Sequence, residues 1–325
     1  MKMTIETKSF PLETPFSITG YTFTDTDAVW VTLENGDALG RGEGVGMYYA
    51  GETAATMRAQ LEDVKPQVEA GASLEDIQKL LPHGGARNAL DCAYWDMLCK
   101  SEGRTIWDRL AISPKTLTTV ATVGIGTPEW MADRARSYAL YPNLKIKLSD
   151  DDPITRLRAI RAARPDASLV IDVNQGWSVE DLKTYLPALK DLGVAMIEQP
   201  LKRGADADLE GFQSDVPLGA DESCLNLSEY EKTAPFYDVI NIKLDKCGGL
   251  TEALALAKRA QADGKDVMVG NMTGSSLSMA PAYVIGQFCT FVDIDGPVLL
   301  QSDIENALVY GEGGAVSLPT PALWG

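Results

Sequence analysis

Two kinds of hydrophobic pattern fill the first third of the chain. Strand-like alternation of apolar and polar residues comes first and helical spacing follows, which is typical of a compact α+β domain. An Asn35-Gly36 turn after the second strand predicts a third strand leading into Gly40–Gly44. The predicted strands and helices are Thr4–Phe10, Ala28–Leu33, Thr53–Glu69 and Ala86–Glu102, the last ending at Gly103. We assign residues 1–112 to this capping domain.

The hydrophobic pattern of the chain changes near Thr118. Eight short β-rich runs start about 22 to 28 residues apart, with helical patterns such as Pro128–Ala139, Pro153–Ala163 and Thr251–Ala262 between them. The runs are Thr119–Ile125, Leu144–Leu148, Leu169–Val173, Val194–Ile197, Pro217–Ala220, Val239–Ile242, Val267–Val269 and Phe291–Ile294. Such alternation predicts an α/β fold, a TIM-type (β/α)7β barrel over residues 113–295. The Gly/Pro-rich segment 296–325 is expected to pack back on the capping domain.

Composition narrows the classes of function. The chain of 325 residues has a formal net charge of −17, which disfavours nucleic acid and anionic membranes as partners. Five scattered cysteines without a C-x-x-C pair indicate reduced thiols and a cytoplasmic protein. The single histidine, His83, lies in a Pro-His-Gly-Gly turn and excludes zinc sites built on two or three histidines. A small-molecule substrate is therefore expected, and a homo-oligomer is compatible with the chain.

Charged residues collect where the predicted barrel strands end. Side chains two positions apart on a strand share a face, and the residues between them are apolar, so the charged ones are expected to point into the barrel mouth. They are Lys145 and Lys147 on strand 2, Asp172 on strand 3 with the uncharged Asn174 on the same face, Glu198 on strand 4, Asp221 on strand 5, Lys243 on strand 6, and Asp293 and Asp295 on strand 8.

Three carboxylates on adjacent strands, Asp172, Glu198 and Asp221, would repel one another unless a cation lay between them. Hard oxygen ligands without nitrogen or sulfur favour Mg²⁺, with Mn²⁺ as a tolerated substitute. Lys147 and Lys243 lie on the strands that flank this set, so one could remove a proton and the other return it to the opposite face. A lysine acting as base needs a lowered pKa, which we expect from burial near the metal and from the charge of Lys145.

This arrangement resembles the enolase superfamily, and within it the muconate-lactonizing subgroup. The segments Ala86–Leu110 and Phe10–Phe16 also look like this family's entry into the barrel and its N-terminal capping strand and loop. The resemblance implies that Asp172, Glu198 and Asp221 bind Mg²⁺ and that Lys147 and Lys243 are the acid/base residues. In it Lys145 supports Lys147, and Asn174 is a second supporting residue. The lysine base with Mg²⁺ is this superfamily's known pattern.

Within the family, the pair Asp293 and Asp295 resembles the dipeptide epimerases, in which such aspartates bind the free α-ammonium group. The resemblance implies epimerisation at the C-terminal residue of a dipeptide through a metal-stabilised enediolate. Members that act on L-Ala-D/L-Glu carry an arginine in the mobile N-terminal loop, but here Ser17–Tyr21 has none. An apolar or aromatic second residue facing Tyr21, Met47 and the two following tyrosines is therefore expected.

Other functions remain open at this stage. An o-succinylbenzoate synthase, a cycloisomerase or an N-acylamino-acid racemase could use the same scaffold, without needing an ammonium-binding pair. A Schiff-base aldolase barrel could use Lys243 as nucleophile and Gly270–Ser276 as a phosphate site, although it would leave the three carboxylates without a role.

Overall fold

The computed structural model describes residues 1–325. It opens with an antiparallel sheet of β1 (Lys2–Ile18), β2 (Tyr21–Asn35) and β3 (Ala38–Val45), in that order. Four helices follow: α1 (Ala54–Glu69), α2 (Leu74–Leu80), α3 (Gly85–Glu102) and α4 (Ile106–Leu110). A Cβ atom at Gly40, Gly42 or Gly44 would collide with the backbone of α3, so these glycines let the helix lie directly on β3.

The β1–β2 hairpin is much longer than the sequence pattern predicts. The predicted strands stop at Phe10 and resume at Ala28, whereas in the structure pairing continues, after an irregularity between Pro11 and Phe16, to the pair Ile18–Tyr21. The prediction of a loop here was wrong for a physical reason. Proline cannot donate to the sheet, and the polar, threonine-rich start of β2 lacks apolar alternation, although threonine favours strands.

The second part of the chain forms one sheet of eight parallel strands in sequence order. The first and last strands also meet, since the Val120 N–H donates to the Val292 carbonyl at 3.0 Å. The strands are β5 (Ala121–Val123), β6 (Asn143–Lys147), β7 (Ser168–Asp172), β8 (Val194–Glu198), β9 (Leu218–Ala220), β10 (Val239–Ile242), β11 (Asp266–Val269) and β12 (Phe291–Val292). The predicted TIM-type barrel with an N-terminal α+β domain is confirmed.

Helices separate most of these strands, as the (β/α)7β pattern requires. They are α5 (Pro128–Ser137), α6 (Pro153–Ala163), α7 (Val179–Asp191), α8 (Leu227–Thr233), α9 (Leu244–Cys247), α10 (Leu250–Ala262) and α11 (Ser276–Gly286). The segment between β8 and β9 has only a short 3₁₀ turn, Asp206–Leu209. None of the helices has the length and apolar character needed to cross a membrane.

The C-terminal residues contact the N-terminal part of the chain. β4 (Leu117–Thr118) pairs with β13 (Ala315–Val316), after which the chain reaches α3. There the Trp324 Nε1–H donates to the Cys92 carbonyl at 2.9 Å, and the Arg41 guanidinium donates to the Leu323 carbonyl at 2.8 Å. The predicted boundaries at residues 112 and 295 stay a proposal, which these contacts support.

Buried carboxylates join the cap to the barrel. Glu43 on β3 accepts hydrogen bonds from the Trp30 indole and from the Ser275 N–H just before α11, both at 2.7 Å. Asp245 on α9 accepts from the Val45 N–H at 2.9 Å. Burial is the main cause that raises the pKa of each of these two carboxyls to about 7.

These pKa shifts predict that acid strengthens the interface. The folded Glu43 holds its proton up to about pH 7, whereas the unfolded one loses it above about 4.5, so the free energy of unfolding falls as pH rises between these values. Glu43→Gln should flatten this slope, removing about 1 to 3 kcal/mol of the change. Urea unfolding across this range measures it. The exposed Glu13→Gln is the control, and an unchanged slope in Glu43→Gln would contradict the prediction.

Candidate active site

Three carboxylates meet at the barrel mouth. Asp172 ends β7, Glu198 ends β8 and Asp221 directly follows β9, so the parallel pairing of these strands brings their side chains together. One oxygen from each lies within 4.8 Å of the others, and all three residues are buried. This is the cluster that the strand-end pattern predicts.

The electrostatics of this cluster suit a divalent cation. Burial and the charge of Asp172 raise the pKa of Glu198 to about 7, while lysines hold the pKa of Asp172 at about 2 in spite of its burial. Glu198 Oε2 is buried, and its charged neighbour is Lys145 Nζ, 2.8 Å away. Three buried carboxylates that lie this close together repel one another, and Mg²⁺, which prefers hard oxygen ligands, would neutralise that repulsion. The three residues therefore fit the predicted metal.

Lys147 lies on one side of the carboxylates. Its ammonium group is 2.5 Å from Asp172 Oδ2 and 3.2 Å from Asn174 Oδ1. The Asn174 backbone N–H donates to Asp172 Oδ1 at 3.0 Å, which closes a small network around the end of β7. Asn174 thus contacts Lys147 as its predicted supporting role requires.

Lys243 occupies the other side, directly after β10, which three strands separate from β6 in the sheet. Its ammonium group donates to Asp221 Oδ2 at 2.6 Å. Burial is the largest single effect and would lower the pKa of Lys243, as would the charge of Lys145. The charges of Asp221, Glu198 and Asp172 together outweigh both, so the pKa is raised. The carboxylates that raise this pKa are those expected to bind Mg²⁺, so the lowered pKa expected beside the metal stays a prediction.

Lys145 faces the centre of the site. Its ammonium group lies 2.9 Å from Asp293 Oδ2 and 3.3 Å from Asp172 Oδ2, in addition to its approach to Glu198. It therefore contacts the carboxylates rather than Lys147 itself, and any support that it gives to Lys147 passes through Asp172. Asp295 lies beside this group, where burial and the negative charge of Asp293 raise its pKa to about 8.

Sequence reasoning missed Lys246, and it placed Asn241 on the same strand face as Lys243 without giving it a role. Lys246 is fully buried and donates to Asp221 Oδ1 at 2.6 Å and to the Asn241 carbonyl at 2.8 Å. The Asn241 side chain donates to Glu198 Oε1 at 2.7 Å. The spacing contained a usable signal. Lys246 follows Lys243 by three residues at a helix start, and Asn241 shares a strand face with Lys243.

A cavity of about 240 Å³ opens above the two lysines. Lys147, Asn174 and Lys243 form its floor, and its walls are Leu12, Phe16, Ile18, Phe23, Asp25, Thr26, Asp27, Val45, Gly46, Tyr48, Glu52, Thr53, Ala54, Asn271, Met272 and Thr273. Tyr21 and Met47, the predicted contacts of the substrate, do not line it. Tyr21 is exposed and packs edge-on against Tyr48 at 4.6 Å between ring centroids, while Met47 is buried.

The tip of the β1–β2 hairpin closes this cavity against the barrel. Thr19 Oγ1 lies 3.0 Å from the Leu148 carbonyl and 3.1 Å from the Val173 carbonyl, the residues that directly follow β6 and β7. The Ile125 N–H donates to the Ser17 carbonyl at 2.8 Å. The hairpin thus contacts the barrel at the strand ends that carry Lys147 and Asp172.

Family models match both parts of the chain. Residues 1–110 match the N-terminal domain of the mandelate racemase/muconate lactonizing enzymes, and residues 130–321 match the enolase C-terminal domain-like family. Among characterised relatives, the L-Ala-D/L-Glu epimerase of Escherichia coli K12 is 42% identical over 94% of this chain and 96% of its own. The N-acetyl-D-glutamate racemase of a Pseudoalteromonas species is 41% identical over 78% of this chain and 80% of its own.

Solved structures of similar proteins have the same fold as this chain. An enolase family member from Agrobacterium tumefaciens, described as homologous to dipeptide epimerases and holding sodium and L-Ala-L-Glu, superposes with a TM-score of 0.96 at 40% identity, covering 99% of both chains. The dipeptide epimerase of Enterococcus faecalis with Mg and L-Leu-L-Tyr gives 0.90 at 28% identity, covering 98% of this chain and 96% of its own. Of the two characterised relatives, one is an epimerase and the other a racemase, and this chain too is an isomerase. It belongs to the mandelate racemase/muconate lactonizing enzyme family of the enolase superfamily.

Proposed function

We propose that this enzyme is a Mg²⁺-dependent dipeptide epimerase that inverts the α-carbon of the C-terminal residue. The observation that carries the proposal is the placement of Lys147 and Lys243 on opposite sides of three buried carboxylates, at the floor of one covered cavity. Asp172, Glu198 and Asp221 would hold the Mg²⁺, with Mn²⁺ as a tolerated substitute. When bound, the cation supplies positive charge that stabilises the enediolate left when the α-proton is removed.

The two lysines divide the proton transfers between them. Each pairs with a different carboxylate, Lys147 with Asp172 and Lys243 with Asp221, so their ammonium groups approach from different sides. A substrate carbon between them can lose a proton to one lysine and receive a proton from the other. Inversion of configuration follows from this arrangement, whereas a single base would return the proton to the face that lost it.

The second part of the proposal is that Asp293 and Asp295 bind the α-ammonium group. Both are buried, and with Lys145, Lys147 and Lys243 they border a small cavity of about 40 Å³ beside the main one. Two carboxylates at one end and a cation-binding cluster at the other suit a substrate with a positive and a negative end. The names of the relatives, several of them dipeptide epimerases, support the same substrate class.

The walls of the main cavity argue against glutamate as the second residue. Phe23, Tyr48 and Met272 offer apolar contact, while Asp25, Asp27 and Glu52 add three carboxylates. No arginine lines the cavity, and its only lysines are the two on the floor. An acidic side chain would meet like charge there, so we propose an apolar, aromatic or cationic second residue.

An N-acylamino-acid racemase is the second candidate, because one relative is named N-acetyl-D-glutamate racemase. An acylated amine carries no charge and would leave Asp293 and Asp295 without a cationic partner from the substrate. The ammonium group therefore distinguishes the two candidates.

A substrate panel in D₂O with Mg²⁺ tests the proposal. We expect dipeptides with an apolar, aromatic or cationic second residue to gain one dalton at the α-carbon by mass spectrometry. Ala-Glu and N-acetylamino acids should react at least about tenfold more slowly, which is the effect of losing about one charge pair. Exchange with N-acetylamino acids alone would favour the racemase, and no exchange with any dipeptide would overturn the proposal.

A further inference from the structure

Glu222 is a buried carboxylate in the site. It has no role in the metal binding or the proton transfer proposed for this enzyme. It directly follows Asp221 and is 1% exposed. Its Oε1 accepts a hydrogen bond from the Asn174 side-chain amide at 3.3 Å, whereas its Oε2 is buried without any partner. Burying a carboxylate with half of its acceptors unused costs free energy, so a purely structural explanation is poor.

The contact with Asn174 leads to one of the two lysines. Asn174 donates from its amide nitrogen to Glu222 and accepts from Lys147 on its amide oxygen. The carboxylate can only accept, so it fixes which end of the amide faces Lys147. Asn174 also has a left-handed backbone with φ of 42°, a conformation that costs energy for a residue with a side chain.

No side-chain amide orients Lys243 in the way that Asn174 orients Lys147. Lys243 donates to Asp221 alone, and the other oxygen of Asp221 is held by Lys246, a cation that repels Lys243 and does not orient it through an acceptor. The environments of the two lysines are therefore unlike. An amide held by a carboxylate orients Lys147, and a carboxylate held by a second lysine faces Lys243.

We propose that Glu222 is a positioning residue for Lys147, acting through the Asn174 amide, and that it governs proton transfer on one face of the substrate only. This inference rests on the proposed epimerase function, because only there do the two lysines serve opposite faces. Because the two lysines have different surroundings, the expected result is a change in the relative reactivity of the two epimers.

The test measures α-proton exchange in D₂O separately for the two epimers of a reactive dipeptide. Lys147→Ala first identifies the epimer that Lys147 deprotonates. In Glu222→Leu, exchange of that epimer should fall about tenfold and exchange of the other less than about twofold, because a freed Asn174 no longer orients Lys147. Glu222→Gln keeps an acceptor and should recover part of the loss. Asn174→Leu should reproduce the effect, and the double variant should add little to it.

Ser223→Ala is the matched control, since Ser223 lies on the same buried segment but contacts Gln199 and not Asn174. It should leave the ratio of the two exchange rates unchanged. An equal fall for both epimers in Glu222→Leu would mean a general loss of structure or metal binding and would overturn the proposal, as would an unchanged ratio. If the wild-type enzyme exchanges no dipeptide, the epimerase function fails and this inference fails with it.

Discussion

Replacing Lys147 by alanine is expected to lower kcat for epimerisation by ~10²- to 10⁴-fold, the usual range for loss of a general acid or base. Proton exchange should nevertheless persist for one epimer, because Lys243 still reaches its face of the α-carbon. Lys243→Ala should give the mirror result, with exchange retained for the opposite epimer. Time-resolved mass spectrometry in D₂O, starting from each pure epimer, measures both effects.

This pattern separates two bases from one. If Lys147→Ala abolished exchange of both epimers while the protein stayed folded and bound Mg²⁺, Lys147 would act on both faces. Lys183→Ala, on the surface of α7, is the control and should leave both rates unchanged. Circular dichroism and Mg²⁺ titration of each variant exclude loss of fold or metal as the cause.

Removing a carboxylate of the cluster is the second change with a large expected effect. Asp221→Asn should lower Mg²⁺ affinity and reduce kcat/KM for the dipeptide by at least ~10²-fold. EDTA should abolish the activity of the unaltered enzyme. Asp221 has two tasks in the structure, since it belongs to the carboxylate cluster and pairs with Lys243 and Lys246. Its loss therefore leaves two buried ammonium groups without their carboxylate partner.

Mg²⁺ binding measured by calorimetry distinguishes these tasks. Glu198→Gln removes a carboxylate charge without removing a partner of Lys243, so it should weaken Mg²⁺ binding while stability falls less than in Asp221→Asn. Asp133→Asn, on the exposed surface of α5, is the control. Wild-type activity in EDTA, or full Mg²⁺ affinity in Asp221→Asn, would contradict a metal role for the cluster.

The barrel could be predicted from sequence because its signals are local. Most strands are short apolar runs followed by a helix with a recognisable start, such as Thr127 before Pro128 or Ser178 before α7. The carboxylate cluster followed from the same signals, since parallel strands that end in Asp172, Glu198 and Asp221 must bring those residues to one edge. The order of the strands along the chain therefore implied which side chains meet at the barrel mouth.

The covering hairpin and the polar neighbours could not be predicted in this way. The tip of the hairpin is held by Thr19 against carbonyls more than 120 residues away, so its local pattern has little to say about its conformation. The pKa of Lys243 depends on whether burial or the charges of the nearby carboxylates dominate, which is a question of distances. Lys246 and Glu222 matter because of contacts that no spacing rule fixes uniquely.

The hairpin contributes to substrate preference but not to proton transfer, so selection can alter these two properties independently. Thr19 fastens it through backbone carbonyls of the barrel, which are present whatever the neighbouring side chains are. Phe23, Asp25 and Asp27 line the cavity from the same β2 strand but contribute nothing to the carboxylate cluster. Substitutions at these three positions can therefore shift substrate preference while the proton-transfer apparatus is inherited intact, so divergence into new substrate ranges needs few mutational steps.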